Sequence, residues 1–130
     1  MKNLKEANLS ISGKNILITG ASRGIGRTLS IELSKLGANI ILLSKNESLL
    51  ENIYDEISNK TETDPSIIGC DLNLLDEPRS QEISNIISDN YIDLDCIIHN
   101  AAIIEKMSNI EEYDLVSWEK VMKINLTSSF

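Results

Sequence analysis

Four short apolar blocks alternate along the chain with segments whose apolar residues recur at helical spacing. Residues 14–19 contain the run Ile16-Leu17-Ile18 and end in a glycine-rich turn, which predicts a strand buried on both faces. Next, Ile25, Leu29, Leu33 and Leu36 stand at spacings of 4, 4 and 3, one stripe of a helix, and Gly37 falls where a helix C-cap belongs. Residues 39–43 predict a second strand. After it, Asn46 caps a helix with Glu47 in its first turn and Leu49, Ile53 and Ile57 on one face. Asp64-Pro65 marks a turn, residues 66–70 predict a third strand, and Asp76 caps a helix with Pro78 in its first turn and Ile83, Ile86 and Ile87 inward. Residues 94–99 predict the fourth strand. A loop runs through Glu112, after which Trp118, Val121, Met122, Asn125 and Ser129 share a helical face, and the sequence stops at Phe130 with no cap or breaker.

Strand and helix alternate four times, the connections are long enough for crossovers, and the strands are apolar on both faces. That pattern predicts a doubly wound α/β fold: a parallel sheet covered by helices on both sides, in the strand order 3-2-1-4.

Composition narrows the functional classes. The chain has 130 residues, 20 acidic against 12 basic, for a formal charge of −8, and is 42% hydrophobic. This is the make-up of one compact soluble domain. The negative excess, with no basic run, opposes binding to nucleic acid or to an anionic membrane surface. An unbroken apolar stretch such as residues 40–43 is far short of the ~20 residues that cross a bilayer. The first residues lack the apolar core of a secretory signal, so a cytoplasmic protein is expected. Cys70 and Cys96 fall on predicted strands three positions apart, ~14 Å at strand spacing, too far for a disulfide; they read as buried free thiols. With a single histidine they give no metal-ligating pattern, so no metal site is expected.

The chemistry concentrates in Thr19-Gly20-Ala21-Ser22-Arg23-Gly24-Ile25-Gly26, between the first strand and the first helix. Gly20 lets the chain turn off the strand, Gly24 removes a Cβ where a diphosphate approaches the backbone, and Gly26 lets helix and strand pack closely. The unpaired N–H groups and positive dipole end of the helix then face an anion, which suits a pyrophosphate. A dinucleotide with a ribose 2′-hydroxyl calls for an acid at the end of the second strand; Ser44-Lys45 stands there instead. Arg23 can reach the same point, and two cations match a 2′-phosphate, so NADP(H) is expected over NAD(H). Glu47 opposes this only weakly, since it suits the first turn of a helix.

The spacing Gly-x3-Gly-x-Gly resembles the fingerprint of the short-chain dehydrogenase/reductase family. Asp71-Leu72, His99-Asn100-Ala101-Ala102 and Asn125 follow in that family's order, so the resemblance covers nearly the whole chain. Within the family, residues 94–101 are most similar to the YciK-type oxidoreductases. The resemblance implies a Rossmann-type NAD(P)-binding fold in which Gly20, Ser22, Arg23, Gly24, Ile25 and Gly26 form the cradle. It also implies that Asp71 meets the adenine amino group, that Leu72 lies beside the ring, and that Asn100, Ala101 and Ala102 line the floor near ribose and nicotinamide. Ala102 replaces a glycine and His99 an asparagine; His99 reads as structural.

The family's activity is hydride transfer between the cofactor and a carbonyl or alcohol substrate, with a Tyr-x3-Lys pair as acid and base. That pair is missing: the fourth residue after Tyr54 is Ser58, after Tyr91 Asp95, and after Tyr113 Ser117. Only Asn125 matches the catalytic set. Its implied role is to support a water in the proton relay, and its plain structural role is a helix asparagine bonded to nearby backbone. The expectation is therefore an N-terminal extension over residues 1–13 and, over residues 14–130, the cofactor-binding part of a C-terminally truncated domain, inactive alone. The fourth strand would then be an open apolar edge that invites association, so a homo-oligomer is expected. Two other readings remain: a complete, non-catalytic dinucleotide-binding or interaction module, and a P-loop phosphohydrolase. Against the latter, residues 21–28 lack the first glycine and the lysine of its motif.

Overall fold

The computed structural model describes residues 10–91 and 93–130. Residues 1–9, most of the expected extension, lie outside the described part. Residues 11–13 belong to the packed body: Ile11 rests against the core, and the Gly13 N–H donates to the Gly37 carbonyl at 2.8 Å.

Strands β1 (Asn15–Thr19), β2 (Asn39–Ser44), β3 (Ser66–Gly69) and β4 (Cys96–Ile98) form one sheet in the order β3-β2-β1-β4, with every pairing parallel. Their alternating side chains feed two cores. On one face Ile16, Ile18, Ile40 and Leu42 pack with Ile31 of α1 (Gly24–Lys35) and with Leu50, Ile53 and Ile57 of α2 (Glu47–Lys60). On the other, Leu17, Ile41, Leu43 and Ile68 pack with Ile83 and Ile87 of α3 (Glu77–Asn90). Helices on both faces of a parallel sheet make the fold doubly wound.

Caps explain where the helices begin. Asn46 Oδ1 accepts from the Leu49 N–H at 3.1 Å, Asp76 Oδ1 from the Arg79 N–H at 2.9 Å, and Asp114 Oδ1 from the Ser117 N–H at 2.8 Å at the start of α4 (Leu115–Asn125). Each satisfies a donor that the helix cannot pair internally. Gly37, with φ of 87°, follows the last turn of α1 as expected.

Several inward faces differ from the sequence expectation. Ile25 and Leu36 are exposed, and the buried face of α1 is Gly26, Ser30, Ile31 and Ser34, with Leu29 and Leu33 at its margin. Hydroxyls can sit there because Ser30 and Ser34 donate to the Gly26 and Ser30 carbonyls, 2.8 Å each, leaving no orphan polar group. In α2 it is Leu50, not Leu49, that enters the core, and in α3 Ile86 stays partly exposed. Strand β4 is only three residues long, and Cys96 within it is exposed rather than buried; Cys70 is buried, and both thiols are free.

α4 departs furthest. Its single buried residue is Ile124, Trp118 is exposed, and the helix ends at Asn125, with Ser129 in a separate 3-10 turn. Among the described residues the sheet ends at β4, and the helix is anchored through its last turn. No helix among the described residues is long and apolar enough to cross a membrane.

Candidate functional site

All four strands run toward one end of the sheet, and the segments that leave them there surround a cleft of about 290 Å³. β1 contributes Gly20, Ser22 and Arg23; β2 contributes Ser44, Lys45 and Asn46; β3 contributes Cys70, Asp71 and Leu72; β4 contributes Asn100, Ala101, Ala102 and Ile103. Of the residues singled out from sequence, ten line this cleft. Gly24, Ile25 and Gly26 form the first turn of α1 beside it, and Asn125 stands behind it. Sequence reasoning missed Leu43, Asn46, Leu49, Cys70, Ile103 and Ile124. Asn46 and Leu49 had been assigned to the helix they begin, and Ile124 carries no signal apart from its place beside Asn125.

Two glycines make the close approaches that hold the loop. A Cβ on Gly20, whose φ is 65°, would stand 2.8 Å from Ala101 Cα. One on Gly26 would stand 2.3 Å from the Gly20 carbonyl oxygen and 2.6 Å from Asn100 Nδ2. Both contacts are far inside van der Waals distance, so only hydrogen fits. At Gly24 a Cβ would meet nothing within 4 Å; open space there leaves the backbone accessible.

Thr19, which the sequence places at the head of the glycine loop without a role of its own, ties β1 to the loop after β4. Its Oγ1 accepts from the N–H groups of Asn100 and Ala101, 3.1 Å each, and Asn100 Nδ2 donates to the carbonyls of Thr19 at 3.0 Å and Gly20 at 3.2 Å. On the other side Ser44 Oγ donates to Ser22 Oγ at 3.0 Å, tying the glycine loop to the end of β2. Asp71 begins a turn, its Oδ1 accepting from the Asn73 N–H at 3.0 Å. Asn125 exchanges two hydrogen bonds with the backbone of Ile103: Oδ1 accepts at 2.8 Å and Nδ2 donates at 2.9 Å. The sequence weighed a bond to nearby helix backbone for this side chain; its partner is instead the loop after β4, 22 positions away.

The charge around the cleft runs against that of the chain. Its lining holds two cations, Arg23 and Lys45, and one carboxylate, Asp71, in a protein of net charge −8. Neither cation is in an ion pair among the described residues, whereas Lys14, Arg27, Lys35, Lys60, Arg79 and Lys120 all are. α1 alone among the four helices starts with no side-chain cap and no acid in its first turn. Burial pushes the Cys70 thiol up, with Arg79 partly opposing the shift, so this group on the cleft wall is neutral at neutral pH. Among the described residues no cluster of three metal-ligating side chains occurs.

An uncapped helix start, a glycine turn and a cationic cleft at the C-terminal edge of a doubly wound sheet are features with which α/β proteins of this architecture hold nucleotides. The family model for short chain dehydrogenases matches residues 14–130, and the chain belongs to that family. It is 32% identical over 120 residues to the uncharacterized oxidoreductase YciK of Escherichia coli K12, covering 92% of this chain and 48% of that protein. Against the NADPH-dependent pterin aldehyde reductase of Arabidopsis thaliana it is 29% identical, with the same two coverages. A short chain dehydrogenase from Shigella flexneri 2a str. 301, solved in complex with NADP, superimposes with a TM-score of 0.89 at 32% identity, covering 93% of this chain and 51% of that one. The chain therefore spans about half the length of the curated relatives it matches. Family membership removes the phosphohydrolase reading.

Proposed function

We propose that residues 14–130 are the cofactor-binding half of an NADP(H)-dependent oxidoreductase acting on a small carbonyl or alcohol substrate. The observation that carries this reading is the uncapped first turn of α1 opening beside two unpaired cations. The amides of residues 20–26 would hold the pyrophosphate, with open space at Gly24 to receive it. Arg23 and Lys45, beside the Ser22–Ser44 hydrogen bond, would hold the 2′-phosphate. Asp71 and Leu72 would flank the adenine, and Asn100, Ala101 and Ala102 the ribose and nicotinamide. The NADP-bound Shigella structure and the NADPH-dependent Arabidopsis relative support the choice of cofactor.

When bound, the nicotinamide supplies or accepts a hydride at a carbonyl or carbinol carbon. This chain's residues bind and orient. Asn125 fixes Ile103 at the cleft wall and is the one residue here proposed for the proton relay; an acid and base in the Tyr-x3-Lys pattern would come from further sequence of the whole protein. The test is a fluorescence titration with NADPH, NADH and Mg-ATP. The reading expects NADPH to bind tightest, and equal affinity for NADH removes the 2′-phosphate assignment. Binding of Mg-ATP alone removes the dinucleotide.

A further inference from the structure

The last turn of α4 meets the body of the protein through three successive residues. Lys123 Nζ donates to the Leu75 carbonyl at 2.5 Å, Ile124 lines the cleft, and Asn125 bonds the backbone of Ile103 in both directions. Leu75 ends the loop that carries Asp71 and Leu72 into the cleft. Inside that loop the Leu74 N–H donates to the Asp71 carbonyl at 2.9 Å and the Leu75 N–H to the Leu72 carbonyl at 3.4 Å, so the position of Leu75 is passed directly to the cleft wall. At the loop's other end Arg79 Nη2 donates to the Gly69 carbonyl at 2.6 Å. The segment is thus gripped by a cationic side chain at each end, one from α3 and one from α4.

The partly buried Lys123 contact is the only hydrogen bond between α4 and this loop among the described residues. The neighbouring Lys120 is committed elsewhere, pairing with Glu105 at 2.5 Å. Its pKa is raised first by that hydrogen bond, then by the Glu105 charge, and to a smaller extent by Asp71. A charge-assisted hydrogen bond to a partly buried carbonyl is among the stronger polar contacts, and its loss frees both groups to hydrate.

We infer that Lys123 is a positioning residue: by holding the Leu75 carbonyl it sets the Asp71–Leu72 wall of the cleft, and through its place beside Asn125 it couples that wall to the Ile103 wall. The ligand consequence rests on the dinucleotide reading above, which puts the adenosine half at Asp71 and Leu72. Lys123→Met keeps the apolar stem and removes the donor; Lys123→Arg keeps charge and donor.

Two measurements on the 130-residue chain test this. Amide exchange of Asn73, Leu74 and Ile103 should quicken about tenfold in Lys123→Met and return in Lys123→Arg, with β1 and β2 unchanged. Affinity for 2′,5′-ADP should fall about fivefold or more in Lys123→Met, and the loss should persist at high salt, where a merely long-range charge effect is screened. Unaltered exchange at all three amides overturns the inference, and so does unaltered 2′,5′-ADP affinity in a chain that binds it. A wild-type chain that binds no adenosine phosphate brings down the dinucleotide reading instead, and the exchange rates still decide whether Lys123 holds the loop.

Discussion

Asn100 donates two hydrogen bonds to Thr19, 81 residues away: its N–H to Thr19 Oγ1 and its Nδ2 to the Thr19 carbonyl. The pair ties the end of β1 to the loop after β4, where Gly20 and Asn100 line the cleft. Thr19→Val keeps the shape but leaves the Ala101 amide unpaired and the Asn100 amide with only its bond to the Ile98 carbonyl, an expected cost of about 1–3 kcal/mol. Urea unfolding of Thr19→Val, Asn100→Ala and the double variant should show non-additive losses; strictly additive ones would mean that the two side chains act separately.

Gly26→Ala places a Cβ against the Gly20 carbonyl and Asn100 Nδ2. One obstacle is backbone, so relief requires α1 to move. A loss of about 1–3 kcal/mol is expected, together with loss of NADPH binding. Gly69→Ala makes the contrast: its Cβ meets the flexible end of Glu47, which can swing aside, so the melting temperature should barely change.

Lys45→Asp replaces an unpaired cation of the cleft by an anion. NADPH affinity should fall by tenfold or more at low salt and NADH affinity should hold or rise, narrowing as salt is added. Unchanged NADPH affinity at low salt would remove Lys45 from the phosphate site.

The hydrogen bond from Lys14, the N–H of Asn15 and the charge of Lys14 hold the Asp95 carboxyl below the usual aspartate range. A lowered carboxyl pKa stabilises the fold above the unfolded value of about 3.9 and loses that contribution as pH falls through the folded value. Thermal melts from neutral pH downward should therefore show a steeper acid loss for wild type than for Asp95→Asn. Parallel curves would mean that this pair contributes nothing.

β4 presents Ile97, 46% exposed, on a three-residue sheet edge. The 130-residue chain should self-associate with concentration, and Ile97→Lys should reduce that association. Sedimentation of wild type as a monomer across the same range would contradict it.

The strand order, the helix caps at Asn46 and Asp76 and the glycine turn were legible because each rests on local chemistry: apolar runs, capping side chains and missing Cβ atoms. The inward faces of α1 and α4 were not. For α1, hydropathy ranked leucines above serines, although serines that bond back to their own helix can be buried without penalty. For α4, the face was read from spacing alone, which does not say what the helix packs against. In the site, residues contiguous with the glycine motif were found, Thr19 among them, but its partners 81 and 82 positions away were not; Lys123 matters through a partner 48 positions away and Ile124 through the cleft it lines, and no periodicity encodes such pairs.

The glycine and two serines on the underside of α1 also set the height of that helix above the sheet. Because Gly26 rests against Gly20 while Ser30 and Ser34 lie one and two turns further along, added bulk at Ser34 would tilt the rod as a lever tilts. Its N-terminal tip would swing relative to β2 with no substitution at the cleft, so a change at the far end of the helix would reach the cofactor site proposed here.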